Sequence, residues 1–456
     1  MENSGQKFDV IVIGAGIMGS STAYQIAKRG HKTLLLEQFD FLHHRGSSHG
    51  ESRTIRATYP EPYYVKMVIE SYKLWEEAES EIGYRVLYKA QQFDMGPAED
   101  KCLQAVIANC RSESIPHQVL NRHQVSEKFP GELPENWIGV WSELGGVIKP
   151  SKAVSMFQTL AIQRGAVLKD NSKVSDIRRD GASGEILVAT ANGKSFLGKK
   201  CVVTVGAWMK NLVKLVTGLV LPIQPIEATV CYWRVKEGYE AHFTIANGFP
   251  TFASHGQPHI YGTPSLEYPG LVKIAVHGGY PCDPDKRGWG PGISLDSLRK
   301  WVEERFAGLV DPNGPVAKQS CMYSMTPDED FVIDYLGGEF GKDVVIAGGF
   351  SGHGFKMGPL VGKLLADLAL DGEAHGVEMS HFRMNRAQCS KTLDLVRTFT
   401  ASELELTPAG HDTVNPGTVL KLSRSTKSNL RSMNTSNETH GVVRIGVDDG
   451  EDDLDG

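Results

Sequence analysis

Two apolar patterns divide this chain. Nearly unbroken apolar runs at Phe8–Ile13, Thr33–Leu36, Cys201–Val205 and Val344–Ala347 have the character of strands buried on both faces. Helical spacing follows the first run, with Ile17, Met18, Ala23, Ile26 and Ala27 on apolar positions and Gly30 as the stop. The same spacing predicts helices over 63–82, over 151–164 with Ser151 as its cap, over 294–306 and over 359–371. Short strands are expected at 166–169, 173–178 and 185–190, and 92–146 is mixed. Residues 222–280 instead alternate, as in ATVCYWRV and LVKIAVHGG, between Gly and Pro turns, which predicts an antiparallel sheet. The fold class is therefore α/β with two domains: a Rossmann-like nucleotide domain interleaved with an antiparallel-sheet substrate domain. The nucleotide domain takes 1–90, 147–221 and 320–390, and the substrate domain takes 91–146 and 222–319. After about Thr407 the apolar pattern collapses, and residues 448–456 carry six acids, so 407–456 is expected to be a disordered tail.

Gly14, Gly16 and Gly19 sit between the first strand and its helix as G-x-G-x-x-G. In that context the first glycine permits the tight turn, the second lets backbone approach a pyrophosphate, and the third lets helix pack on strand. The helix N-terminus supplies N–H donors to phosphate. Glu37, which ends the second strand, is placed to accept from a ribose hydroxyl.

Composition narrows the partners. A net charge of −6 over 456 residues gives no reason to expect nucleic acid. No apolar run reaches the ~20 residues of a membrane span. With the first strand beginning at Phe8, no signal peptide is expected. The seven cysteines are scattered and lack a CxxC pair, which points to a reducing compartment, and no metal-ligand spacing appears.

Six segments then occur in order: GAGIMGSS at 14–21, GSSHGESRTIR at 46–56, HIYGTPS at 259–265, LVKIAVH at 271–277, CMYSMTPDEDFVID at 321–334 and GGFSGHGFK at 348–356. Together, over roughly residues 8–390, they resemble the monomeric sarcosine oxidase family, which includes N-methyltryptophan and pipecolate/sarcosine oxidases. The resemblance implies an FAD-dependent oxidase of secondary amino acids (sarcosine, other N-methyl amino acids or L-pipecolate), with dioxygen reduced to hydrogen peroxide. It implies a flavin bonded to Cys321 and a substrate carboxylate held by Arg56 and Lys356. It further implies Arg53 and His49 beside the ring, Lys273 promoting oxygen reduction, and His277 and Tyr261 lining the substrate pocket.

The residue types suit these tasks. A guanidinium fork binds carboxylate bidentately, a fixed cation stabilises charge developing on dioxygen, and the glycine-dense loop around Gly352 can bring N–H donors close to a ring. Read without the resemblance, Cys321 is a core cysteine and Lys273 an exposed strand lysine; His353 carries no assignment. Glu267 and Tyr268 leave substrate size open. The alternatives are an FAD-dependent dehydrogenase, a glycine or primary amino acid oxidase, and a non-catalytic flavin-binding protein. The expected partners are a small amino acid and dioxygen, with no nucleic acid, membrane or metal, acting on a monomer. The terminal Asp-Leu-Asp-Gly is no Ser-Lys-Leu address and favours the cytosol, whereas peroxide production suits a peroxisome.

Overall fold

The structure is a computed structural model that describes residues 7–266, 268–286 and 295–386. Glu267 and the tail expected at 407–456 lie outside the described residues. Two sheets organise the chain within one compact unit.

The first sheet runs Val332–Tyr335, Val344–Gly348, Ser195–Val203, Lys7–Ile13, Thr33–Leu36, Val167–Lys169. Four of the five pairings along this path are parallel, and Val332–Tyr335 pairs antiparallel with Val344–Gly348. The apolar runs exist because both faces are covered. Val10, Val12, Leu35, Val202, Val345 and Ala347 face a helical layer built on Ile17–Lys28, Pro62–Ile82, Pro150–Gln163 and Gly358–Leu370. Ile11, Ile13, Leu34, Leu36, Cys201, Val203 and Ile346 face the antiparallel arm Val174–Arg179 and Ile186–Thr190, with Met209 and Val213 from the helix Met209–Thr217. From Lys7–Ile13 the chain winds outward to Thr33–Leu36 on one side and is flanked by Ser195–Val203 on the other. That reversal opens a crevice at the carboxyl ends of those two strands.

The second sheet runs Tyr280–Pro281, Gln224–Arg234, Leu271–Val276, Ile260–Thr263, Thr251–Ser254, Leu87–Pro97, Trp137–Ile148, Arg53–Arg56. Ala317–Met325 adds beside Gln224–Arg234. Nearly all of it is antiparallel; Thr251–Ser254 pairs in parallel with Gln92–Met95. Its apolar side closes over an aromatic core of Phe93, Phe129, Phe243, Phe249, Phe252, Trp301 and Phe306.

Two local readings change. Arg53–Arg56 forms an edge strand of the second sheet, paired with Gly145–Ile148, and residues 87–90, 147–148 and 320–325 also belong to strands of that sheet, although all lie in segments given to the nucleotide domain. Ser151 does not cap its helix: Lys149 flanks it, Pro150 opens the first turn, and the Ser151 hydroxyl donates to the Gly50 carbonyl at 3.4 Å. Proline fits that position because its missing N–H would be unpaired there anyway.

Candidate active site

The glycine turn is a tightly braced cradle. Gly14 has φ +95°, a conformation that only glycine adopts without strain, and a Cβ on Gly19 would lie 1.8 Å from the Gly14 carbonyl oxygen. Thr204, at the end of the neighbouring strand, donates from Oγ1 to the Ile13 and Gly14 carbonyls at 2.9 and 3.1 Å. Glu37 is buried, and its carboxylate accepts from the Ala15 N–H at 2.9 Å and the Phe39 N–H at 3.1 Å. Ser48 accepts from the Ile17 N–H at 3.1 Å. Glu37 and Ser48 therefore hold the loop as well as line the crevice.

That crevice is a cavity of about 340 Å³, walled by Gly14 to Ile17, Glu37, Ser48 and Thr204 to Gly206. A second cavity of about 1030 Å³ lies under the second sheet. Arg53, Cys321, Tyr323, Gly352 and Phe355 line both, so the two meet at these residues.

Arg53 is locked at the junction. It donates to the carbonyls of Ser52, Ser47 and His49 at 2.9, 3.0 and 2.7 Å, and its Nη2 lies 3.4 Å from Cys321 Sγ. Cys321 stands opposite Ala228 where Ala317–Met325 pairs with Gln224–Arg234, and it lines both cavities. Gly352, at φ +74°, has no room for a side chain: a Cβ would meet the Tyr323 ring at 2.8 Å and the His277 ring at 3.0 Å. Ser324 Oγ, buried beside the first cavity, has no hydrogen-bond partner among the described residues.

The second cavity is cationic. Lys273 Nζ donates to the Ser52 carbonyl at 3.1 Å and to Ser52 Oγ at 3.2 Å, and it lies over the Tyr261 ring. The Ser52 carbonyl thus accepts from both Arg53 and Lys273. Burial, with the Arg53 charge, pushes the Lys273 ammonium down to about 7. Lys356 Nζ donates to Tyr59 Oη at 2.9 Å and to the His353 carbonyl at 2.7 Å; burial and Arg56 hold it well below its ordinary value. The Arg56 guanidinium stacks 4.6 Å over the Tyr59 ring and donates to the Thr58 carbonyl. His277, just past the end of the strand that carries Lys273, is pushed down to about 4 by burial, Arg56 and Lys356, and is neutral at pH 7.

These buried amines set a pH dependence. An unfolded lysine keeps its proton to about 10.5, whereas Lys273 loses it near 7 in the fold and Lys356 is shifted the same way. Between those values the unfolded state binds more protons, so stability rises with pH. The flavin-free protein is expected to melt at a higher temperature at pH 9 than at pH 7. A scanning-calorimetry series that is flat or descending over that range contradicts this.

Of the residues singled out from sequence, the structure brings Arg53, Arg56, Tyr261, Lys273, His277, Cys321, Gly352 and Lys356 around the second cavity, and Gly14, Gly16 and Glu37 around the first. Gly19 sits behind the turn as a packing position. His49 is buried with its ring against His44 and lines neither cavity; its carbonyl, through Arg53, bears on the site. Sequence reasoning missed Tyr59, Ser52, Tyr323, His259 and the pair His255–Asp94. Asp94 is fully buried and lies 3.2 Å from His255, whose ring is 5.3 Å from that of His259. Tyr59 lies ahead of the helix Pro62–Ile82, where nothing local in the sequence marks it as a cavity residue.

A dinucleotide groove opening into a buried cationic chamber defines a redox protein that works through a nucleotide cofactor. The family model for FAD dependent oxidoreductases matches residues 9–368. The chain is 66% identical over 385 residues to a probable sarcosine oxidase of Arabidopsis thaliana, covering 83% of this chain and 92% of that protein. It is 36% identical over 387 residues to the peroxisomal sarcosine oxidase of Homo sapiens, covering 83% and 96%. NikD, an unusual amino acid oxidase essential for nikkomycin biosynthesis, shares the fold with a TM-score of 0.73 at 24% identity, covering 84% of this chain and 99% of that one. The chain belongs to the FAD-dependent oxidoreductase family, and it is an enzyme of that class with FAD as its cofactor. The glycine cradle, the side-chain-free approach at Gly352 and the unpartnered Ser324 hydroxyl fit that group.

Proposed function

We propose that this chain oxidises secondary amino acids, with sarcosine, other N-methyl amino acids and L-pipecolate as the substrate class. The observation that carries this reading is the junction: a groove suited to FAD meets a chamber whose buried cations are suited to a carboxylate and to dioxygen. The relatives named sarcosine oxidases support the substrate class.

In this reading Arg56 and Lys356 bind the carboxylate and so orient the amine toward the junction. An entering anion offsets the cost of charging Lys356, which regains a full ammonium as substrate binds. Neutral His277 and Tyr261 pack against the substrate and exclude water. The amine reacts as its free base. It loses a proton to solvent and a hydride equivalent from a carbon on nitrogen, giving an imine that water hydrolyses; sarcosine yields glycine and formaldehyde. Bound FAD supplies the two-electron acceptor that passes these electrons to dioxygen as hydrogen peroxide. Lys273 stabilises the negative charge that develops on dioxygen. Cys321 would hold the flavin through sulfur, a thiol S–H and a flavin C–H giving way to the C–S bond while dioxygen takes the two electrons and two protons as hydrogen peroxide; Arg53 Nη2 lies 3.4 Å from that sulfur. Gly14, Gly16 and Glu37 hold the nucleotide part.

The same reading divides the work between the sheets, the first holding nucleotide and the second substrate, with Arg53 and Cys321 serving both. Both cavities are lined by one chain, which suits a monomer. The human relative is named peroxisomal, and a peroxide-releasing reaction suits that compartment, with the cytosol as the alternative.

The direct test offers purified holoenzyme sarcosine, N-methyl amino acids and L-pipecolate under air, with peroxide as readout. Stoichiometric peroxide and imine-derived products are expected. Absence of peroxide with every secondary amino acid, while an artificial dye is reduced, identifies a dehydrogenase instead.

A further inference from the structure

Lys356 heads a directed chain of hydrogen bonds that ends on a turn held from the far edge of the described residues. Arg386 grips Asp328 with both arms, Nε to Oδ2 and Nη2 to Oδ1, each at 2.8 Å, and both side chains are nearly inaccessible. The same guanidinium donates to the carbonyls of Asp330 and Phe331 at 2.9 Å each. The turn 326–331 is thereby fixed from outside, while Thr326 Oγ1 closes it inside by donating to the Asp330 carbonyl at 2.7 Å. The turn's central residue, Glu329, has φ +63°, an unfavourable conformation for a side-chain-bearing residue that surrounding contacts must hold in place.

That conformation directs the Glu329 carbonyl at His353 Nε2, 3.0 Å away. A carbonyl only accepts, so Nε2 carries the proton. His353 is held well below its ordinary value by burial and then by Lys356, so it is neutral and its Nδ1 is an acceptor. Tyr59 Oη, 3.2 Å from Nδ1, must then donate to it. A hydroxyl that donates to His353 receives Lys356 Nζ through its oxygen, at 2.9 Å. Every link points one way, from Lys356 through Tyr59 and His353 to the Glu329 carbonyl. Lys356 spends a second proton on the His353 carbonyl, which leaves the third N–H of the ammonium for the chamber.

We infer that Arg386 is a positioning residue for Lys356: by pinning the Asp328–Asp330 turn it fixes the tautomer of His353, and through Tyr59 it sets the lysine's one available donor toward the substrate carboxylate. The inference rests on the reading of Lys356 as a carboxylate ligand. The chain has no part in electron transfer, so its loss raises KM and spares kcat.

The test uses FAD-loaded enzyme and sarcosine. Asp328→Asn combined with Arg386→Gln removes both charges and leaves neither buried alone. KM is expected to rise roughly tenfold, the scale of one charge-assisted hydrogen bond, with kcat within about twofold of wild type. Arg386→Lys, which keeps the charge but not the fork, is expected to restore part of the loss. In a Lys356→Met background the double change is expected to add nothing. An unchanged KM, or an equal rise in that background, overturns the inference. Nitrogen NMR of histidine-labelled wild-type enzyme reads the chain without turnover: His353 is expected as the neutral Nε2-protonated tautomer, and an Nδ1-protonated ring overturns it even if the variants do not fold. Should Lys356→Met alone leave KM unchanged, the carboxylate reading fails, and the nitrogen spectrum still decides the tautomer.

Discussion

Replacing Lys273 by Met is expected to slow reoxidation by dioxygen on the order of 100- to 1000-fold, while anaerobic reduction by substrate changes far less. The size follows from removing one preorganised charge from a water-poor site where charge develops. Lys273 suits that task because it is buried and held by the carbonyl and hydroxyl of Ser52, with no carboxylate in ion-pair contact among the described residues. When protonated, it therefore carries a charge with no carboxylate beside it, available to an incoming acceptor. Methionine fills a similar volume without charge. Stopped-flow absorbance separates the two half-reactions. Equal slowing of both assigns Lys273 to general packing, and no slowing of reoxidation removes it from oxygen chemistry.

Cys321→Ala is expected to abolish acid-stable flavin. Wild-type protein precipitated with acid should retain its yellow colour in the pellet, and the variant should release all of it to the supernatant. The expectation is all-or-none because the sulfur at the junction of the two cavities is the proposed bonding atom. The variant should still bind FAD reversibly, since the cradle around Gly14 and Thr204 is untouched. Arg53→Met is expected to slow tethering in flavin-reconstituted protein, because its Nη2 lies 3.4 Å from the sulfur. A colourless wild-type pellet sinks the tether, and a yellow Cys321→Ala pellet moves it to another residue.

Much of the nucleotide half was legible in sequence because its signals are local. A strand buried on both faces needs an apolar run, and the turn after it needs Gly14, whatever the rest of the chain does. The site was legible where residues cluster in short segments, as with Arg53, Arg56, Lys273, His277 and Lys356. It was not legible where partners meet only through tertiary structure. Asp94 reaches His255 because Thr251–Ser254 pairs in parallel with Gln92–Met95, a pairing without local signature. Arg53–Arg56 is too short and too charged to announce a strand, and its partner lies near 145. Arg386 meets Asp328 across 58 residues of chain. Ser151 misled because a serine at a helix start reads as a cap, whereas the proline before it had already set the first turn.

The carbonyl of Ser52 receives one hydrogen bond from Arg53, beside the Cys321 sulfur, and another from Lys273. Two charges for which separate duties are proposed therefore share a single mechanical reference. Rotating that peptide unit would displace both at once, so this geometry gives neither charge an independent adjustment. Any tuning of one without the other has to come from its remaining contacts: the Ser47 and His49 carbonyls for the guanidinium, and the Ser52 hydroxyl and Tyr261 ring for the ammonium.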